Sequence, residues 1–159
     1  MTNQEKYHST TESRRLIQTH FKWGWSMLFV FLTLGFFLEA LHGFKAGFYL
    51  DASSEARRLM WTLAHAHGTL LSVVNLVFAA YLNSRADRLP VQMKLASRSL
   101  MGGSILLPAG FFFGGFFIYD GDPGLFIYVA PVGALLLMVA VFLIARSALA
   151  SNAEEEQDI

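Results

Sequence analysis

Residues 123–145 read PGLFIYVAPVGALLLMVAVFLIA, and this stretch contains no charged side chain. An α-helix rises about 1.5 Å per residue, so a stretch of this length covers the hydrocarbon core of a bilayer, which is about 30 Å thick. The run is too continuously apolar for a transmembrane strand, in which apolar and polar residues alternate. The stretch therefore predicts a transmembrane helix.

Three stretches of the same kind precede it, at residues 23–44, 59–82 and 99–119. Glu39 is the one formal charge within them, and the chain of 159 residues is 54% hydrophobic and 15% charged. A water-soluble domain of this size needs more polar surface than that. We expect an all-α integral membrane protein, an up-and-down bundle of four transmembrane helices.

Polar segments flank the predicted transmembrane domain, residues 23–147. In residues 1–22 the apolar Leu16, Ile17 and Phe21 lie beside Arg14, Arg15 and Lys22, which predicts a short amphipathic helix, about residues 10–21, at the cytoplasmic interface. The last residues, 148–159, form an acidic stretch for which we expect a disordered cytoplasmic tail.

Lys and Arg are distributed unevenly between the two sides of the predicted membrane, and this bias sets orientation. One side carries nine of them: Lys6, Arg14, Arg15, Lys22, Arg85, Arg88, Lys94, Arg98 and Arg146. The other side carries three: Lys45, Arg57 and Arg58. The sequence therefore predicts a multi-pass protein of a bacterial inner (plasma) membrane with both termini in the cytoplasm.

Composition excludes several classes of function. The chain has no Cys, which removes disulfide and thiolate chemistry, and its formal net charge is zero, so no overall field would recruit nucleic acid. No phosphate-binding Gly loop and no Ser/His/Asp spacing typical of a hydrolase is present. The sequence favours a protein that is not an enzyme, with a metal-assisted membrane enzyme left open.

Four ionisable residues lie within the predicted spans. Glu39 and His42 lie near the outer end of the first span, and His65 and His67 lie about two turns in from the outer end of the second. Such groups are costly inside a bilayer and mark functional or paired positions. Their similar predicted depth makes them the candidate site.

Helical spacing decides which of these four side chains can face one another. Glu39 and His42 are three residues apart and share a face. His65 and His67 are two residues apart and point to nearly opposite sides. The side of His65 also carries Thr62, Gly68, Thr69 and Ser72, with Asn75 at its margin, and should face the bundle interior.

Three functions compete for this site. In the first, His42 and His65 bind haem or a transition metal ion, Glu39 ligates the metal or orients an imidazole, and His67 is accessory, in a redox or accessory-subunit role. In the second, the protein is a small oligomeric proton-coupled transporter or channel in which Glu39 carries protons. In the third, Glu39 pairs with His42 or His65 in a structural, non-catalytic membrane subunit. The expected partners are the lipid bilayer and either further copies of the chain or a larger membrane complex.

The third span and the turn after it carry backbone signals. Gly110 and Gly114 are spaced for close helix approach, and Pro108 removes one backbone hydrogen bond. Residues 120–124, DGDPG, predict a tight turn and therefore an antiparallel hairpin of the last two spans.

Overall fold

The structure is a computed structural model that describes residues 3–85 and 92–157, and the side chains within residues 11–85 and 92–150. It is almost entirely helical. The five α-helices are α1 Asn3–Gly43, α2 Gly47–Leu50, α3 Glu55–Ser84, α4 Gln92–Gly114 and α5 Val129–Gln157. The described residues also form two 3₁₀ turns, Ala52–Ser54 and Leu125–Tyr128, and two short strands, β1 Ile118–Tyr119 and β2 Asp122–Pro123.

Three helical segments in the described part of the chain are long and apolar enough to cross a membrane: Thr11–Gly43, Ala52–Ser84 and Leu125–Ala150. These segments cover all but at most two residues of the first, second and fourth predicted spans, so the prediction of helices long and apolar enough to span a membrane is confirmed for these three. The third predicted span corresponds to α4, whose first half carries Lys94, Arg98 and two serines. α4 is not one of the three segments, since these polar side chains lower the hydropathy of its first half.

The helix bounds differ from the predicted ones at several places. The short N-terminal helix and the first span are parts of one continuous helix, α1, rather than separate elements. α4 ends at Gly114, five residues before the predicted end of the third span at Tyr119, because the chain turns into strand β1. α5 continues to Gln157, beyond the predicted boundary at residue 147, and residues 158 and 159 lie outside the described part.

The turn predicted between the last two spans is present as a two-residue β-hairpin. Strands β1 and β2 pair antiparallel, and the two residues between them, Asp120 and Gly121, have φ angles of 49° and 89°. Positive φ at both central positions is typical of a type I′ turn, for which Asp-Gly is a preferred pair. Pro123, which the sequence suggested as a helix start, lies in β2, and α5 begins only at Val129.

Each long helix packs antiparallel against the next one along the chain: α1 against α3, α3 against α4, and α4 against α5. We call the end with residues 11–22 the inner end and the end with the hairpin the outer end, following the predicted orientation. At the inner end all four long helices contribute to one core, which includes Ile17, Phe78, Met93 and Ala140.

Glycines set the distance between α4 and α5. A Cβ added to Gly110 would lie 2.6 Å from the backbone nitrogen of Ala130, and a Cβ added to Gly133 would lie 2.5 Å from the backbone nitrogen of Leu107. Real Cβ atoms do not approach that closely, so only Gly allows this separation. The expected close approach at Gly110 is therefore confirmed.

Two arginines at the start of α3 hold the outer loops. Arg57 donates to the carbonyl oxygen of Phe48 at 3.0 Å and to that of Gly115 at 3.3 Å. Arg58 donates to the carbonyl oxygens of Tyr49 and Asp51. These bonds attach the connection before α3 and the end of α4 to one helix terminus.

Candidate functional site

Glu39 and His42 occupy the last two turns of α1, and both side chains are exposed. Glu39 forms no hydrogen bond or ion pair with any residue that the structure describes. His42 has its ring 6.4 Å from that of Tyr49 in an edge-on arrangement. The two residues thus lie at the outer rim of the protein and not in its interior.

His65 lies at the contact between α3 and α1. Its Nδ1 is 2.8 Å from the carbonyl oxygen of Phe31, and because a carbonyl only accepts, Nδ1 carries the proton and donates it. The imidazole fills the space above Gly35, where an added Cβ would overlap the ring. Nε2 is left with a lone pair.

His67 lies on the other side of α3, towards α4, as the spacing predicted. Its Nδ1 donates to the carbonyl oxygen of Leu63, one turn earlier in the same helix, at 2.8 Å. Its ring centroid is 5.1 Å from that of Phe111. His65 and His67 therefore have the same tautomer but face different neighbours.

The four predicted site residues do not converge. The ring of His65 is level with Gly35, whereas His42 is seven residues further along α1, which corresponds to about 10 Å along the helix axis. Among the residues that the structure describes, no three His, Asp or Glu side chains are grouped as metal ligands are. The haem or metal site with His42, His65 and Glu39, and His67 as accessory, stays a prediction.

A different histidine, His20, is at the centre of the buried polar groups. It is fully buried, with Nδ1 2.7 Å from Oδ1 of Asn75 and Nε2 2.8 Å from Oγ of Ser97. Asn75 in turn donates from Nδ2 to the carbonyl oxygen of Leu71 and to Oγ of Ser104, both at 2.8 Å. We call His20, Asn75, Ser97 and Ser104 the polar cluster; it joins α1, α3 and α4.

Every polar atom of the cluster's side chains is satisfied when His20 is neutral. The amide of Asn75 uses both hydrogens as donors, so its Oδ1 accepts from Nδ1 of His20. Nε2 of His20 then accepts from the hydroxyl of Ser97, and Ser104 donates to the carbonyl oxygen of Leu100 at 2.7 Å. A closed set of bonds like this stabilises one arrangement of helices, because breaking it leaves buried polar groups unpaired.

His20 is not among the site residues predicted from the sequence, but a helical pattern marks it. Small and apolar residues recur every three or four positions along one face of α1. Buried members of this face are Ser13, Ile17, His20, Gly24, Gly35 and Leu38. Continuing the packing face of the first span towards the N-terminus would have placed His20 inside. On α3, Ser72 and Asn75 are buried as expected, whereas Thr62 is exposed.

Beyond the polar cluster, an apolar groove of about 540 Å³ lies between α1 and α4. We call it the α1–α4 groove. On α1 its lining runs from Trp23 to Phe37, and on α4 from Ser104 to Phe113. These ranges correspond to about 21 Å and about 13 Å of helix, so the groove is elongated along the helix axes.

Trp23 is an unusual part of this lining. Its indole Nε1 is buried and has no hydrogen-bond partner in the described part of the chain. A buried tryptophan N–H normally donates to an acceptor. Pro108, which also lines the groove, lacks the N–H that would bond to the carbonyl oxygen of Ser104 within α4.

No protein-family model, no curated protein and no solved structure matches this chain. The function must therefore be inferred from the residues themselves. They offer a satisfied polar cluster, separate histidines on two sides of α3, and an elongated apolar groove that opens sideways between two helices.

Proposed function

We propose that the chain is a four-span protein of a bacterial inner membrane, with α4 as the additional span and both termini in the cytoplasm. α4 has 23 residues and a length of about 34 Å, which is sufficient to cross the bilayer core. Its serines at positions 97, 99 and 104 are buried, which makes a less apolar helix acceptable. The excess of Lys and Arg at the inner end supports the orientation.

We further propose that this protein is a non-catalytic membrane subunit that binds the hydrocarbon chain of a lipid in the α1–α4 groove. The volume and lining of the groove carry this proposal. About 540 Å³ lies in the range of small-molecule sites, and all but two of the lining residues, Thr33 and Ser104, are apolar or aromatic. A groove that is elongated along the helices suits an acyl chain that is itself parallel to the membrane normal.

Transport of protons through Glu39 has less support. The carboxyl is at the outer rim, and the next histidine towards the inner end of α1, His20, is 19 residues away. That separation corresponds to about 28 Å of helix. The polar cluster around His20 is also closed by its own hydrogen bonds, so it offers no obvious relay to Glu39.

Native mass spectrometry of the protein released from nanodiscs tests lipid binding. We expect one retained lipid per chain, and we expect Ala109→Phe to reduce its occupancy several-fold, because Ala109 lines the groove and a phenyl ring would fill it. Ala66→Phe is the matched control, since Ala66 is exposed on α3 outside the groove lining. Equal lipid retention by both variants would contradict the proposal.

Haem or metal binding is the second candidate, and the tautomers of His65 and His67 favour it. A ligating imidazole commonly donates its other N–H to a carbonyl, which leaves Nε2 for the metal. Both residues have this arrangement. Since they face opposite sides of α3, a bis-histidine site would need a second copy of the chain.

A further inference from the structure

Two cationic side chains lie at the inner mouth of the α1–α4 groove. Arg98 precedes Ile105 by seven residues, two helical turns, and Lys22 precedes Thr33 by eleven, three turns. Ile105 and Thr33 both line the groove. Each cation therefore lies on the same helix face as a residue of the groove wall, nearer to the inner end.

The contact between His20 and Ser97 sets these two cations at the same depth. Nε2 of His20 and Oγ of Ser97 are 2.8 Å apart, so α1 and α4 are side by side at this level. Lys22 is two residues past His20, and Arg98 is one residue past Ser97. With a rise of about 1.5 Å per residue, the two Cα atoms differ in depth by roughly 2 Å.

Neither cation is neutralised by the described part of the chain. Both side chains are exposed, and neither has an ion-pair or hydrogen-bond partner there. Their neighbour Lys94 differs, since its Nζ is 2.7 Å from a carboxylate oxygen of Glu12. α1 has no acidic residue between Glu12 and Glu39, and α4 has none at all, so no side chain of these two helix segments compensates the positive charge of the mouth.

An unpartnered donor lies just inside this mouth. Trp23 follows Lys22 directly, and its indole N–H is buried and has no acceptor among the residues that the structure describes. An acceptor entering the groove from the inner end would meet first the two cations, then this N–H, and then apolar walls. The order of these groups matches the order of phosphate, ester carbonyls and acyl chain in a glycerophospholipid.

We propose that the α1–α4 groove and its inner mouth form a site for one anionic glycerophospholipid of the cytoplasmic leaflet. Arg98 and Lys22 bind the phosphate headgroup, Trp23 donates to an ester carbonyl, and the acyl chain follows the groove towards Phe37. Basic positions between transmembrane helices at the cytoplasmic side are known to select anionic headgroups. This inference rests on the proposed lipid-binding function and adds the lipid class to it.

Fluorescence of Trp23 in vesicles separates headgroup selectivity from groove binding. The protein would carry Trp25→Phe and Trp61→Phe, so that Trp23 is the remaining tryptophan. Quenching is measured with phosphatidylglycerol or phosphatidylcholine, each with dibrominated acyl chains at the same mole fraction. We expect phosphatidylglycerol to bind at least about threefold more strongly than phosphatidylcholine, and we expect 1 M NaCl to remove most of that preference.

Two sets of variants make the outcomes distinguishable. The double variant Lys22→Gln with Arg98→Gln should bring the ratio of phosphatidylglycerol binding to phosphatidylcholine binding close to one, while both lipids still quench Trp23. Arg146→Gln, which removes an exposed cation on α5, should leave this ratio unchanged. Equal quenching by both lipids in the parent protein would overturn the headgroup assignment and leave the groove intact. If Ala109→Phe does not reduce the quenching by either lipid, both proposals are overturned.

An independent readout avoids the tryptophan substitutions. The otherwise unaltered protein is placed in nanodiscs that contain equal amounts of the two lipids, and the retained lipid is identified by mass. Enrichment of phosphatidylglycerol that the Lys22→Gln and Arg98→Gln variant loses supports the inference. Retention of the two lipids in the proportion supplied contradicts it.

Discussion

The imidazole of His20 on α1 lies 2.8 Å from the hydroxyl of Ser97 on α4, although 77 residues separate them in the chain. This contact connects two helices that are not consecutive in the packing order. The α1–α4 groove begins on the outer side of this contact. Lys22 and Arg98 lie at the depth of the contact itself. The polar cluster thus sets the position of the proposed lipid site without lining its mouth.

His20→Ala should lower stability strongly. The change leaves Oδ1 of Asn75 and the hydroxyl of Ser97 unpaired in the core, and we expect a loss of about 1–3 kcal/mol in the free energy of unfolding. Thermal unfolding in mild detergent measures it. His67→Ala is the control, because the bond of His67 stays within its own helix and its ring is only half-buried. A smaller loss in His20→Ala than in His67→Ala would contradict the importance of the polar cluster.

Gly110→Ala should separate α4 from α5. The added methyl group would lie 2.6 Å from the backbone nitrogen of Ala130, so the helices must move apart, with a cost of about 1–3 kcal/mol. Gly47→Ala is matched in chemistry and meets nothing within 4 Å, so it should leave the melting temperature nearly unchanged. Equal melting temperatures for the two variants would show that the helices do not pack at this distance.

Glu39→Gln should have little effect on stability, within about 0.5 kcal/mol, because the side chain is exposed and unpaired in the described part of the chain. The structural hypothesis from the sequence, in which Glu39 pairs with His42 or His65, expects a larger loss. The same melting experiment compares them. A marked destabilisation would indicate a partner for Glu39, such as a residue of a second copy.

The second candidate function predicts a spectroscopic signal. If His65 is a ligand, the purified protein will have a Soret band or a stoichiometric metal content, and His65→Ala will lose it. The control is Thr33→Ala, which removes a bond internal to α1 and no imidazole. Colourless, metal-free wild-type protein whose His65→Ala variant differs only in melting temperature would exclude this candidate and leave His65 as a packing group at Gly35.

The predicted membrane orientation can be tested by a reporter placed after Gly121, in the hairpin between α4 and α5. Gly121 meets nothing within 4 Å of an added Cβ, so the site has room. We expect an outward location from the Lys and Arg bias. A cytoplasmic signal at this position would reverse the orientation, and the lipid would then belong to the opposite leaflet.

Properties that depend on local sequence could be predicted. A run such as residues 123–145 is apolar for longer than any soluble element requires, so the membrane assignment follows from length and hydropathy. The Asp120–Gly121 turn follows from backbone preference, and the close approach at Gly110 follows from the absence of a side chain. His65 and His67 point to different sides of α3 because two residues span about 200° of a helix.

The tertiary structure decided which of the polar residues meet. Glu39, His42, His65 and His67 are predicted to lie at a similar depth in the membrane, but depth does not specify which helix faces which. Only the packing of α1 and α4 against α3 joins His20, Asn75 and Ser97, from three distant segments, into one cluster. The α1–α4 groove has the same origin, since its two walls come from helices that are distant in the chain and lie side by side only in the packed structure.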